Sequence, residues 1–104
     1  MKLYLKDGNT LTVEENVKLE VLNLEEFLEN LKKYSDKVPA PHYYVTLHYK
    51  LIVDNAEYLG NTIFDTYKGF INNNDETCPY TVELMNWKLG NDDDKYLEFN
   101  ITQK

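Results

Sequence analysis

Tyr43-Tyr44-Val45-Thr46-Leu47-His48-Tyr49-Lys50-Leu51-Ile52-Val53 is the stretch that decides the fold. Side chains alternate between the two faces of a β-strand. Tyr43, Val45, Leu47, Tyr49, Leu51 and Val53 therefore share one face, and Tyr44, Thr46, His48, Lys50 and Ile52 share the other. A strand at the edge of a sheet and facing water would not need so many apolar residues on one side. The stretch reads as the centre of a sheet, with helices on its apolar face and a mixed outer face.

On its N-terminal side, Leu3 and Leu5, then Leu11 and Val13, then Val17, Leu19 and Val21 repeat the two-residue period. Turn signals stand between them at Asp7-Gly8-Asn9 and, more weakly, at Glu14-Glu15-Asn16. Residues 2–22 are expected to form a small antiparallel meander. A helix over 24–36 follows. Asn23 is a natural N-cap, Glu26 completes a capping box, and Leu22 and Phe27 sit at the positions of a hydrophobic staple. Leu24, Phe27, Leu28, Leu31 and Tyr34 make one apolar stripe. Glu25 and Glu26 in the first turn and Lys32 and Lys33 near the last suit the helix dipole. Val38-Pro39-Ala40-Pro41 ends the helix, because a residue before proline avoids the helical region.

Beyond the central strand, residues 55–71 can be read two ways. Asp54 and Glu57 resemble a second capping box, and Ala56, Leu59, Ile63, Tyr67 and Phe70 recur at helical spacing. Gly60, Gly69 and the β-branched Thr62, Ile63 and Thr66 oppose a helix, and 62–71 also alternates as a strand. The helix is preferred. After the polar run Asn72-Asn73-Asn74-Asp75-Glu76-Thr77, residues 80–89 and 95–103 form a hairpin around Gly90-Asn91-Asp92-Asp93-Asp94. The expected architecture is one α+β domain over 1–104, a largely antiparallel sheet with two helices packed on one face.

Length and composition narrow the function classes. A chain of 104 residues is a common domain size and buries enough surface to fold without disulfides or metals. Its single cysteine, Cys78, cannot form an internal bridge, which fits a reducing compartment. Charged residues interrupt the N-terminal hydrophobic stretch and no apolar run suffices for a membrane span, so a cytoplasmic protein is expected. The net charge is −7. It is uneven: eight acidic residues against seven lysines in 1–53, and ten against four in 54–104. Such a field repels nucleic acid and membranes and attracts basic partners. Arginine is absent, so the bidentate fork that reads guanine or phosphate is missing too. Direct nucleic-acid binding is not expected. The same absence, beside heavy use of Asn, Lys and Tyr, is the codon bias of a low-GC genome such as that of a phage or mobile element.

No constellation of catalytic residues stands out. His42 and His48 lie on the same strand register but about 20 Å apart, too far for one metal ion. His42 reads as a loop residue, and His48 as packed among Tyr44 and Lys50. Cys78 has no base-bearing signature around it, and the lone serine, Ser35, ends a helix. The four glycines are too dispersed for a phosphate loop. Glu25 and Glu29 share a helix face with Lys32 and Lys33 in reach. Asp92-Asp93-Asp94 lacks the spacing of a calcium loop and reads as a charged hairpin tip. Neither an enzyme nor a cofactor is expected.

What remains is an acidic surface with aromatic residues on it. The function expected is a small acidic inhibitor or decoy that binds a basic protein, such as a host nucleic-acid enzyme of the restriction or CRISPR kind, by mimicking nucleic-acid charge. The residues expected to carry it are Asp75, Glu76, Asp92, Asp93 and Asp94, with Trp87 and Tyr44 as anchors. In this reading Trp87 and Met85 oppose the inward Tyr80, Val82 and Leu84. An immunity protein against a cognate toxin fits the same chemistry. A homo-oligomeric assembly protein, self-associating through the outward Tyr/Trp face, is the rival of another class.

Overall fold

The computed structural model describes residues 1–5, 9–35, 42–89 and 94–104, with the side chains of Tyr34 and Ser35 excluded. The central strand forms as expected: β4 is Tyr44–Val53, and its inner residues Val45, Leu47, Tyr49, Leu51 and Val53 are buried. Around it the chain builds β1 (Lys2–Tyr4), β2 (Thr10–Glu14), β3 (Val17–Val21), α1 (Leu24–Ser35), β5 (Ala56–Asp65), β6 (Gly69–Asn73), β7 (Tyr80–Lys88) and β8 (Tyr96–Gln103). Two antiparallel sheets result, a five-stranded one in the order β2-β3-β4-β5-β6 and a three-stranded one in the order β1-β8-β7.

The expectation of two helices needs correction. Among the described residues α1 is the only helix, and 55–71 is a hairpin of β5 and β6. The reason lies at its start. Asp54 and Asn55 both have positive φ, 49° and 71°, the geometry of a tight two-residue turn between twisted strands, which Asp and Asn tolerate. That turn folds β5 back along β4 from Val53↔Ala56 to Tyr44↔Asp65. The β-branched run and the glycines were the truer signal. The 66–68 turn that follows is shaped by Asp65, whose Oδ1 accepts the N–H groups of Tyr67 at 2.8 Å and Lys68 at 3.2 Å. Gly69, with φ +83°, completes the turn.

The N-terminal meander is also corrected. β2 and β3 pair, but β1 belongs to the other sheet, with Lys2↔Glu98 and Tyr4↔Tyr96 in register. The expected turn at 7–9 lies mostly outside the described residues, as does Val38–Pro41. The apolar face of β4 is therefore not under two helices. It shares one core with Leu3, Val82, Leu84, Leu97 and Phe99 of the three-stranded sheet and with Leu24, Phe27 and Leu31 of α1.

α1 begins where the sequence places it, with the Asn23 carbonyl accepting from Phe27 N–H at 3.0 Å. The Asn23 side chain does something else. Its Nδ2 donates to the Thr46 carbonyl at 2.9 Å, and its Oδ1 accepts the His48 N–H at 2.7 Å. The amide thus continues the ladder along β4 just past the last pairing of β3, Val21↔Tyr49. Leu22, expected to staple onto Phe27, is instead 48% exposed while Phe27 is fully buried.

The same device closes the seam between the two sheets. Asn72 Oδ1 accepts the Leu84 N–H at 3.0 Å, and Asn74 Oδ1 accepts the Val82 N–H at 2.7 Å. Two side chains spaced two residues apart at the end of β6 thus serve alternate N–H groups of β7. Each amide is held in turn, Asn72 by Thr62 Oγ1 at 2.7 Å and Asn74 by the Tyr49 hydroxyl at 3.4 Å. Burial, and secondarily the nearby Cys78 thiol, push that phenol up to about 12.

Candidate protein-binding surface

The outer face of the five-stranded sheet carries exposed aromatic residues toward the 66–68 turn. There Tyr44 is 61% exposed, and Tyr67 is 71% exposed. His42 stacks on Tyr67 with ring centroids 4.4 Å apart and 20° between planes, and lies 5.0 Å from the Tyr44 ring. His42 Nε2 is 3.2 Å from Asp65 Oδ1. Burial pushes the Asp65 carboxyl up, but hydrogen bonds from Tyr67 N–H, His42 and Lys68 N–H outweigh it and hold the group below the usual carboxylate range. The buried carboxylate therefore fixes both the turn and the imidazole, and the imidazole holds two tyrosines in place. Rigid, amphipathic aromatics of this kind suit protein contact at low entropic cost.

Lower on the same face, Leu22, His48, Leu59 and Asn61 line a shallow dish of about 630 Å3. Leu59 is 66% exposed. Asn73 Nδ2 donates to Asn61 Oδ1 across the dish at 2.9 Å. Beyond it, Lys50 Nζ sits 3.1 Å from Glu57 and 3.8 Å from Glu20. That Glu57 hydrogen bond, with the charges of Glu20 and Glu57, raises the Lys50 pKa.

Among the described residues, the anticipated acidic side chains Asp75, Glu76 and Asp94 do not gather into one patch. Asp75 lies just after β6, where its Oδ1 accepts the Thr77 N–H at 2.9 Å and the Thr77 hydroxyl at 2.7 Å. These bonds, chiefly the hydroxyl, with help from Lys104, hold its carboxyl below the usual range. Glu76 is exposed beside it. Asp94 is exposed at the other end of β7, 3.9 Å from Lys88 Nζ. β7 has nine residues, which separates these groups by roughly 26 Å. Asp92 and Asp93 lie outside the described residues.

A different acidic end does form. The 15–16 and 54–55 turns meet where Asp54 N–H donates to the Asn16 carbonyl at 3.0 Å. Burial raises the Tyr80 phenol, as do the carboxylates of Glu14 and Asp54 and a hydrogen bond with Glu14. Tyr80 thus ties the start of β7 to the same end. In the sequence Glu14 and Glu15 read as a turn and Asp54 and Glu57 as a capping box, not as one acidic group, since they are dispersed along it. The β2–β3 and β4–β5 hairpins make the two turns, and the pairing of β3 with β4 at Val17↔Val53 sets them side by side.

Of the two anchors, Tyr44 is exposed and Trp87 is not. Trp87 is half-buried, edge-on to Phe64 at 4.5 Å and Phe70 at 5.3 Å. The cause is a β-bulge between Leu84 and Asn86. One extra residue on β7 reverses the alternation, so Trp87 falls opposite Leu97 on the core side and Met85 is left 51% exposed.

Comparison with protein-family models, with curated proteins and with solved structures gives no match. The surface is therefore interpreted from its own chemistry. Among the described residues no group of three or more His, Cys, Asp or Glu could hold a metal ion. His42 is committed to Asp65, and His48 stands exposed on the sheet. Cys78 is buried. No described helix is long and apolar enough to cross a membrane.

Proposed function

We propose that this protein is a small acidic binding module that inhibits or sequesters a basic protein, docking through the outer face of its five-stranded sheet. The observation that carries the reading is the exposed Tyr44–His42–Tyr67 stack, held by a buried carboxylate on the outer face of that sheet. The net charge of −7 steers a cationic surface toward the molecule, and the aromatic stack supplies contact once it arrives. A nucleic-acid-handling enzyme is a fitting target, because carboxylates benefit from the field that such an enzyme builds for phosphates. The anti-restriction or anti-CRISPR role and the toxin-immunity role both follow this chemistry.

The test is capture of a partner on immobilised protein, eluted by a salt gradient and challenged with DNA or RNA. Salt-sensitive binding that nucleic acid competes away, and that weakens about tenfold or more in Tyr44→Ala, supports the proposal. Binding indifferent to salt, nucleic acid and Tyr44 contradicts it. The exposure of Tyr44, Tyr67 and Leu59 on one face also favours a second reading, self-association. A stable oligomer at micromolar concentration by sedimentation would place the chain there instead.

A further inference from the structure

Resting on the reading of a module for basic partners, we propose that the lower half of β5, Ala56–Gly60, is a docking edge at which an extended basic segment of the partner adds as a strand. β5 has ten residues, but β6 pairs only with Asn61–Asp65. β6 stops at Asn73, and the chain leaves the sheet through Asn74 and the Asp75–Thr77 turn. The lane that β6 would have continued along is therefore empty of a strand. Leu59, Gly60, Asn74 and Asp75 line the dish there.

The register tells which backbone groups point into this lane. Val53↔Ala56 closes a two-residue turn, so it is a hydrogen-bonded pair, and the narrow and wide pairs alternate from it. Ala56, Tyr58 and Gly60 thus turn their N–H and C=O toward β4, while Glu57 and Leu59 turn theirs outward. Among the described residues no turn or loop backbone hydrogen bond reaches either one. Both residues are exposed. Elsewhere the molecule serves such groups with asparagine amides, on β4 through Asn23 and on β7 through Asn72 and Asn74. Neither proline nor lysine, the usual protection of an edge, occurs in Ala56-Glu57-Tyr58-Leu59-Gly60.

Charge selects the occupant. Asp54 and Glu57 lie at one end of the edge, and Asp75 lines the dish beside it, followed by the exposed Glu76; Lys50 is engaged by Glu57 and Glu20, and Lys104 donates to the Glu76 carbonyl. Two copies of this chain pairing edge to edge would bring these carboxylates together, at a repulsive cost. A strand with Lys or Arg opposite Glu57 and an apolar residue opposite Leu59 relieves the charge and covers the leucine. Main-chain hydrogen bonds then give affinity and the alternate side chains give preference.

The probe is the capped peptide Lys-Thr-Val-Ala-Arg-Thr-Lys, whose Val and Arg fall opposite Leu59 and Glu57 in an antiparallel register. The expected result is binding by calorimetry, with hydrogen exchange at the Glu57 and Leu59 amides slowed by about tenfold or more. Methylating the peptide nitrogens of Val and Arg keeps the charge and removes two backbone donors, and should weaken binding by about tenfold or more. Leu59→Pro, which deletes an outward N–H without touching the β4 ladder, should do the same, whereas Leu59→Val should bind as the parent does. Equal binding of the methylated peptide overturns strand addition while leaving charge-driven recognition of a basic partner standing. Absence of binding, or protection at the Tyr44 end only, also overturns it. So does concentration-dependent protection of Glu57 and Leu59 in the protein alone, which would assign the edge to a second copy.

Discussion

Two strand edges in this molecule are treated differently. β7 faces β6 across the seam between the sheets, and there Asn72 and Asn74 take the N–H groups of Leu84 and Val82. β5 has no neighbouring strand below β6, and its outward groups at Glu57 and Leu59 have no strand or loop backbone partner among the described residues. The first edge lies at a core that includes Val82 and Leu84, where an unpaired N–H is costly. The second is at the surface, where water satisfies the backbone until something better arrives. The difference separates what holds the fold from what is left available to a partner.

The largest expected effect comes from exposing the protected edge. Asn72→Ala and Asn74→Ala should each destabilise the protein by about 1–3 kcal/mol, since each orphans a β7 donor. Chemical denaturation measures this, and a loss no larger than that of an exposed substitution such as Asn73→Ala would mean the amides are not ladder surrogates. Next is Gly60→Ala. An added Cβ would sit 2.7 Å from the Tyr49 ring, and Tyr49 is buried, so the expected cost is about 1–3 kcal/mol. An unchanged melting temperature would show that the ring can yield.

A smaller effect concerns acid. Asp65 and Asp75 are both held below the ordinary 3.8. Their contribution is fully present above that unfolded value and is lost as pH falls through the lower folded values. Melting temperature should therefore drop on acidification below about pH 4, and less so in Asp65→Asn or Asp75→Asn. A variant with the parent's full acid dependence would rule out its carboxylate. The smallest effect on stability is at the contact face, where Tyr44→Ala should change unfolding free energy by only about 0.5 kcal/mol while weakening partner binding. A large loss of stability would make Tyr44 a structural residue.

The strongest elements were legible in the sequence because local pattern and tertiary role agree in them. β4, α1, β8 and β7 as far as Leu84 alternate or repeat as their burial requires. Residues 55–71 were misread because Ala56, Leu59, Ile63, Tyr67 and Phe70 match a helix by spacing alone. Positive φ at Asp54 and Asn55 folds β5 back along β4, and the 66–68 turn held by Asp65 and Gly69 separates β5 from β6; no periodicity records either. Trp87 was misplaced because one bulge shifts the count by one. The asparagines were hardest. Asn72-Asn73-Asn74 looks like a loop, yet the two outer members are aimed at β7 and the middle one at Asn61. The outer face carrying Tyr44 was visible as a possibility, but its His42 and Asp65 support was not, since those residues are 23 positions apart.

Amide hydrogen exchange on the isolated protein tests the contrast between the two edges most directly. Val82 and Leu84 should be protected through their asparagine partners, while Glu57 and Leu59 exchange at rates close to those of exposed backbone. Comparable protection at all four amides would contradict it, because β5 would then have a partner along its lower half and no docking edge to offer.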